Sequence, residues 1–203
     1  MKETKYKIVF IDIDGVLRNF VAKMKEIFLR DFPHEHIIRE DRYDLREWTS
    51  IKDRIFPWVT DTDSARIIFT EAPEHPRSMI VFLSWLNRSD GGFPKFFIVT
   101  HQIGLRVEWT RFWLKQRSIW GKIPVFYTFD KPGIMKFIIE QQNVITETMI
   151  EPRHCILLDD NIKELQGAEA IGIDTLCIDR TWNQEWPGPK IKHLGEFDPF
   201  EGY

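Results

Sequence analysis

A chain of 203 residues, 43% hydrophobic and 29% charged, has enough apolar content to bury one main core, which excludes an intrinsically disordered chain. Its formal net charge is −3, with Lys and Arg scattered, so it lacks the electrostatic footprint of a duplex-binding protein and long nucleic acid is not an expected partner. No stretch approaches the roughly 18 uninterrupted apolar residues of a membrane span, and a soluble, cytoplasmic protein is expected.

The first apolar run, residues 7–11, follows a basic start and is cut short by Asp12 and Asp14, so it reads as a buried strand and not as a secretory leader. Helix-like sequence runs over 20–32, after which His34, His36, Tyr43, Trp48 and Trp58 occur among charges with no strand-like run. The interval 18–72 therefore reads as a small, mainly helical cap inserted into a main core formed by 1–17 and 73–203. Beyond it, apolar runs at 96–99, 125–127, 155–158 and 175–178 alternate with three- and four-residue periodicity over 75–86, 107–116, 133–142 and 162–170. That alternation predicts an α/β fold, a Rossmann-like, mostly parallel sheet flanked by helices. Cys155 and Cys177 fall inside two of the apolar runs and read as small buried hydrophobes in a reducing compartment. The tail from Arg180, with Pro187, Pro189 and Pro199, is expected to pack as an extended segment without long regular elements.

In open parallel sheets, ligands bind just beyond the carboxyl ends of the strands. The first predicted strand ends in Asp12-Ile13-Asp14-Gly15 and the second in Thr100-His101; the third leads to Asp130-Lys131-Pro132, and the fourth ends in Asp159-Asp160. Carboxylates gathered at one edge repel each other unless a divalent cation neutralises them, and Mg2+, which prefers hard oxygen ligands, suits the set. Asp12 is placed to act as a nucleophile towards phosphorus, and Asp14, past the strand end, as a general acid and then base. Thr100 and His101 are candidates for phosphate contacts. Lys131 is the candidate cation at the developing charge; its rival Lys136 falls within the helix, on the expected solvated face. Asp159 and Asp160 complete the metal candidates. His34, His36 and His75 lack the spacing of a zinc site.

These segments, VFIDIDGVL, FFIVTHQ, the Lys131 of FDKPGIM and CILLDDNIKE, resemble in order and spacing the four motifs of the haloacid dehalogenase superfamily. The resemblance covers the expected core and hardly the cap. It implies a phosphatase or phosphotransferase, since the superfamily's dehalogenases lack the second Asp of the first motif. It also implies a metal held by Asp12, the backbone carbonyl of Asp14 and Asp160, with Asp159 in support and Glu164 orienting metal-bound water. YDLREW and TWNQ look like pieces of the 5'(3')-deoxyribonucleotidase group, so a small phosphorylated substrate, in particular a 5'-nucleotide or deoxynucleotide, is expected. VTHQ is similar to the VTNQ run of capless sugar-phosphate and polynucleotide 3'-phosphatases, which keeps those substrates open. From another class, a phosphoaspartate receiver would carry its paired acids at the first strand, whereas here the pair follows the fourth. A noncatalytic module would leave the set of reactive residues unexplained.

Overall fold

The run Ile8–Ile11 (β1) is apolar at every position and too short for a helix, and it is buried on both faces, as the central strand of a parallel sheet must be. The computed structural model describes residues 4–89 and 92–201; the ends of the expected core, 1–3 and 202–203, and the pair 90–91 lie outside the described residues. β1 pairs in parallel with Lys95–Thr100 (β2) on one side and Cys155–Asp159 (β4) on the other. Val125–Tyr127 (β3) adds beyond β2, and Asp174–Ile178 (β5) and Lys190–Ile191 (β6) beyond β4, giving the order β3-β2-β1-β4-β5-β6.

The period-two alternation of each strand divides the core into two layers. Val9 and Ile11 face a layer with Met79, Phe82, Trp113 and Leu114. Those side chains come from two helices, Pro76–Ser89 and Leu105–Gln116. Ile8 and Phe10 face Met135, Ile138, Leu165 and Ala168 on the other side, carried by Lys131–Thr146 and Ile162–Ala170. The predicted α/β fold is therefore the observed one. Both cysteines are free and buried in the second layer, where burial pushes each thiol up to about 12. No helix among the described residues is long and apolar enough to cross a membrane.

Between β1 and the helix Pro76–Ser89 lie four further helices, Phe20–Asp31 (α1), Leu45–Trp48 (α2), Ile55–Asp61 (α3) and Asp63–Glu71 (α4). With these the remaining helices become α5 (Pro76–Ser89), α6 (Leu105–Gln116), α7 (Lys131–Thr146) and α8 (Ile162–Ala170). Asn19 caps α1 by accepting from the Ala22 N–H, and Thr62 caps α4 by accepting from Ala65. The four helices share their own apolar cluster, including Met24, Phe28, Trp48, Ile55 and Trp58. Entry to and exit from this segment are zipped together, since the Asn19 N–H donates to Pro73 O (2.7 Å) and the His75 N–H to Leu17 O (2.8 Å).

The tail has no long regular element, as expected, but it is not wholly irregular. It contributes β6 to the sheet and two 3₁₀ turns, Thr181–Asn183 and Leu194–Glu196. A two-residue strand preceded by Pro187 and Pro189 carries no periodic signal. It forms because the Cys177 and Asp179 N–H groups of the adjoining strand need acceptors, which Pro189 O and Ile191 O supply.

Candidate active site

Sheet pairing carries β1 as far as the Asp12 N–H, which donates to Leu158 O at 3.0 Å, and the chain then turns sharply. Gly15 takes a left-handed φ of 75°, and a Cβ there would lie 1.9 Å from Asp160 Oδ2. Only glycine lets the first strand's loop close against the fourth strand's carboxylate. Arg180, at the end of β5, fixes the same loop by donating through Nε to Gly15 O (2.9 Å).

The strand ends bring Asp12, Lys131, Asp159 and Asp160 together. Lys131 opens α7, where Asp130 caps the helix by accepting from the Gly133 N–H at 2.9 Å. The Lys131 ammonium is buried, 3.0 Å from Asp12 Oδ1 and 2.6 Å from Asp159 Oδ2. Burial alone would lower its pKa, but Asp12 and Asp159 outweigh burial and raise it, so it stays charged. Ligand oxygens of Asp12, Asp159 and Asp160 lie within 4.8 Å of one another, all three residues buried. Burial, only partly offset by Lys131, pushes the Asp159 carboxyl up to about 7. Asp160 is raised by burial together with its two carboxylate neighbours. One ammonium against three carboxylates leaves an uncompensated negative cluster. Asp12 Oδ1, though in ion-pair contact with Lys131, accepts no hydrogen bond. This donor set, hard oxygens short of positive charge, fits a divalent cation of the magnesium type.

The remaining candidates fall around this cluster. Thr100, buried, ends β2, and the Ile98 to Ile11 register sets it alongside the Asp12 loop. His101 is exposed, edge-on to the Phe129 ring at 4.7 Å, with Nδ1 3.9 Å from Glu164 Oε1. Lys136 is exposed on α7, and His34 and His36 are exposed outside the helices.

Asp14 faces a different partner. Its carboxylate is not part of the acidic trio: it turns to Arg18, which holds Oδ1 through Nε at 2.7 Å and Oδ2 through Nη2 at 3.0 Å. Gln102 Nε2 donates to the same Oδ2 at 2.6 Å. Any share of Asp14 in a metal shell therefore falls to its backbone. Arg18 is 0% exposed, and its other donors reach Phe69 O on α4 (2.8 Å) and Thr110 Oγ1 on α6 (3.2 Å).

Sequence reasoning assigned no role to Arg18, Gln102, Arg180, Trp182 or Asn183, although Gln102 ends the run FFIVTHQ and Trp182 and Asn183 lie in TWNQ. Trp182 Nε1 donates to Asp160 Oδ2 (3.1 Å), and Asn183 Nδ2 to Asp160 O (2.9 Å). A signal existed for the last three: they follow the fifth strand, at the same sheet edge as the residues singled out. Gln102 adjoins the Thr100-His101 pair, and Arg18 stands four residues from Asp14.

A cleft of about 450 Å³ opens over Asp12, Asp14 and Asp160. Its far wall comes from the helical segment, with Phe20, Tyr43, Phe56 and Phe69 among the lining. Tyr43 is 56% exposed, whereas Trp48 is 1% and Trp58 7% exposed, packed in the segment's apolar cluster. Trp58 does not line the cleft.

No family model matches the sequence, and no curated protein matches it. Solved structures do match. A haloacid dehalogenase-superfamily hydrolase of subfamily IA from Geobacter sulfurreducens superposes with a TM-score of 0.61 at 16% identity, covering 95% of each chain. The hydrolase YfnB from Bacillus subtilis, bound to magnesium, gives 0.59 at 14% identity over 94% of this chain and 96% of its own. CbbY from Rhodobacter sphaeroides, in complex with phosphate, gives 0.56 at 17% identity over 94% and 96%. A likeness at such low identity is one of fold, and it extends over nearly the whole length of each partner. The chain has the fold of the haloacid dehalogenase-superfamily hydrolases.

Proposed function

We propose that this protein is a magnesium-dependent phosphomonoesterase that works through an aspartyl-phosphate on Asp12 and prefers a nucleoside monophosphate. The observation that carries the proposal is the buried cluster of Asp12, Lys131, Asp159 and Asp160, of which Asp12 and Asp160 line the cleft.

A carboxylate oxygen of Asp12 attacks phosphorus as the ester P–O bond breaks, and Asp14, which takes up a proton when substrate is bound, delivers it to the departing oxygen. Asp14 then takes a proton from water, which attacks the phosphoryl group and frees Asp12. Arg18 and Gln102 fix the carboxylate of Asp14 for both proton transfers. The Lys131 charge and the Thr100 hydroxyl stabilise the phosphoryl oxygens in transit. Asp12 and Asp160, supported by Asp159, would hold magnesium, which supplies the positive charge that the acidic trio and the phosphoryl group both lack.

The core residues handle only the phosphoryl group, so the segment 18–72, acting as a cap, selects the leaving part. Tyr43 and Phe56 support a nucleobase, being exposed aromatic surfaces on the cleft wall; a stacked base gains about 1–3 kcal/mol. A cleft roofed in this way suits a small substrate better than the end of a polynucleotide. Matched deoxynucleoside, ribonucleoside and hexose monophosphates, assayed with magnesium and after chelation, test the proposal. Nucleotides are expected to lead and chelation to abolish turnover. Full activity after exhaustive metal removal rejects the mechanism, and equal use of hexose phosphates rejects the nucleotide preference.

A further inference from the structure

Arg106, on the first turn of α6, is a half-buried guanidinium on the wall of the cleft over Asp12. The charges that bear on it most are Asp14 and Asp61, yet it forms no ion pair or hydrogen bond with either, or with any other described residue. Its setting is costly, because burial lowers its pKa and no contact compensates. The other cations of the cleft differ: Arg42 lies 3.6 Å from Glu47, and Lys163 is exposed. Four residues before Arg106 stands Gln102, 4% exposed and also lining the cleft. Its Nε2 is committed to the Asp14 carboxylate, which leaves Oε1 as a buried acceptor with no partner. An unpaired cation and an unpaired acceptor thus lie beside the proton-carrying Asp14, against the apolar surfaces of Phe56, Val59 and Phe69.

We propose that Arg106 and Gln102 form a subsite for the leaving part of the substrate, so that among nucleotides, as among polyol phosphates, the better substrates carry a second anionic group, phosphate or carboxylate, and a hydroxyl on the leaving part. The guanidinium binds the anion, and Gln102 Oε1 accepts from the hydroxyl. The subsite rests on the phosphomonoesterase proposal and deepens it. It ranks substrates within each class, a nucleoside bisphosphate above the monophosphate, and leaves the choice of nucleotides over hexose phosphates to the aromatic wall of the cleft.

The test uses pairs of compounds that differ by one anionic group: glycerol 3-phosphate against 3-phosphoglycerate, and adenosine 5'-monophosphate against adenosine 3',5'-bisphosphate, at constant free magnesium. In the wild type the more anionic member of each pair is expected to have kcat/KM about ten- to a hundredfold higher, the range of a hydrogen-bonded charge contact. Arg106→Gln is expected to collapse that ratio towards one, and Arg106→Lys to retain part of it. Equal kcat/KM within both pairs in the wild type, or a ratio that survives Arg106→Gln, overturns the subsite. Binding of the same four compounds to Asp12→Asn, with and without Arg106→Gln, is measured by calorimetry and needs no turnover. A wild type that hydrolyses neither these nor p-nitrophenyl phosphate overturns the phosphatase proposal alone, because calorimetry still decides Arg106. Tighter binding of the more anionic member that Arg106→Gln removes upholds the subsite, and equal binding overturns it.

Discussion

Asp12 and Asp14 stand two residues apart and face different partners, so their amide variants should fail differently. Asp12→Asn removes the proposed nucleophile and is expected to abolish turnover and any phosphoenzyme, detectable by mass spectrometry of acid-quenched protein. Asp14→Asn is expected to retain some phosphoenzyme with a good leaving group such as p-nitrophenol. It should also cost about 1–3 kcal/mol of stability, since the buried Arg18 guanidinium loses its counter-charge. Gly15→Ala tests the loop. A left-handed φ and a Cβ 1.9 Å from Asp160 Oδ2 predict a loss of about 1–3 kcal/mol in denaturant melts, with weaker magnesium binding by calorimetry. Asp12, Lys131, Asp159 and Asp160 were legible because strand ends announce themselves as apolar runs that stop at a reactive side chain. Arg18 and Gln102 were not. Their role is to satisfy Asp14, and a guanidinium in a turn looks the same in sequence whether it faces water or a buried carboxylate.

At the scale of elements, periodicity located five strands and the core helices to within a few residues, because each buries a face against the sheet and must repeat with its own period. The missed strand β6 has two residues and is defined by acceptors offered to β5, a tertiary fact with no local pattern. The aromatics of the helical segment were equally ambiguous, since a tryptophan among charges reads alike as core or as contact surface. Their burial separates them. Trp58→Ala, in the apolar cluster and with Nε1 donating to Asp31 at 2.9 Å, is expected to destabilise the protein by about 3–5 kcal/mol in chemical denaturation. Tyr43→Ala should leave the denaturation midpoint nearly unchanged and reduce the preference for nucleotides over hexose phosphates. A Tyr43→Ala enzyme of unchanged selectivity would remove that ring from the binding surface.

For the molecule as a whole, pH dependence is set in part by His75, half-buried where the chain returns from the helical segment to α5. Burial, reinforced by the nearby Arg180, lowers its pKa from 6.5 to about 3. The unfolded chain therefore takes up a proton that the folded chain refuses. Stability from this group is complete above pH 6.5 and is lost as pH falls towards 3, by up to about 1.4 kcal/mol per pH unit. His75→Gln is expected to flatten that part of the profile, and melts of the two proteins between pH 7 and pH 4 that run parallel would refute the assignment. The two cysteines give such comparisons an internal gauge. Each is fully buried with its thiol held protonated, and the thiolate is the form that thiol reagents attack. Labelling in native buffer must therefore wait for the sheet to open, and its rate measures that opening without reference to catalysis. An inactive variant whose thiols remain protected has lost its chemistry, whereas one whose thiols label quickly has lost its fold.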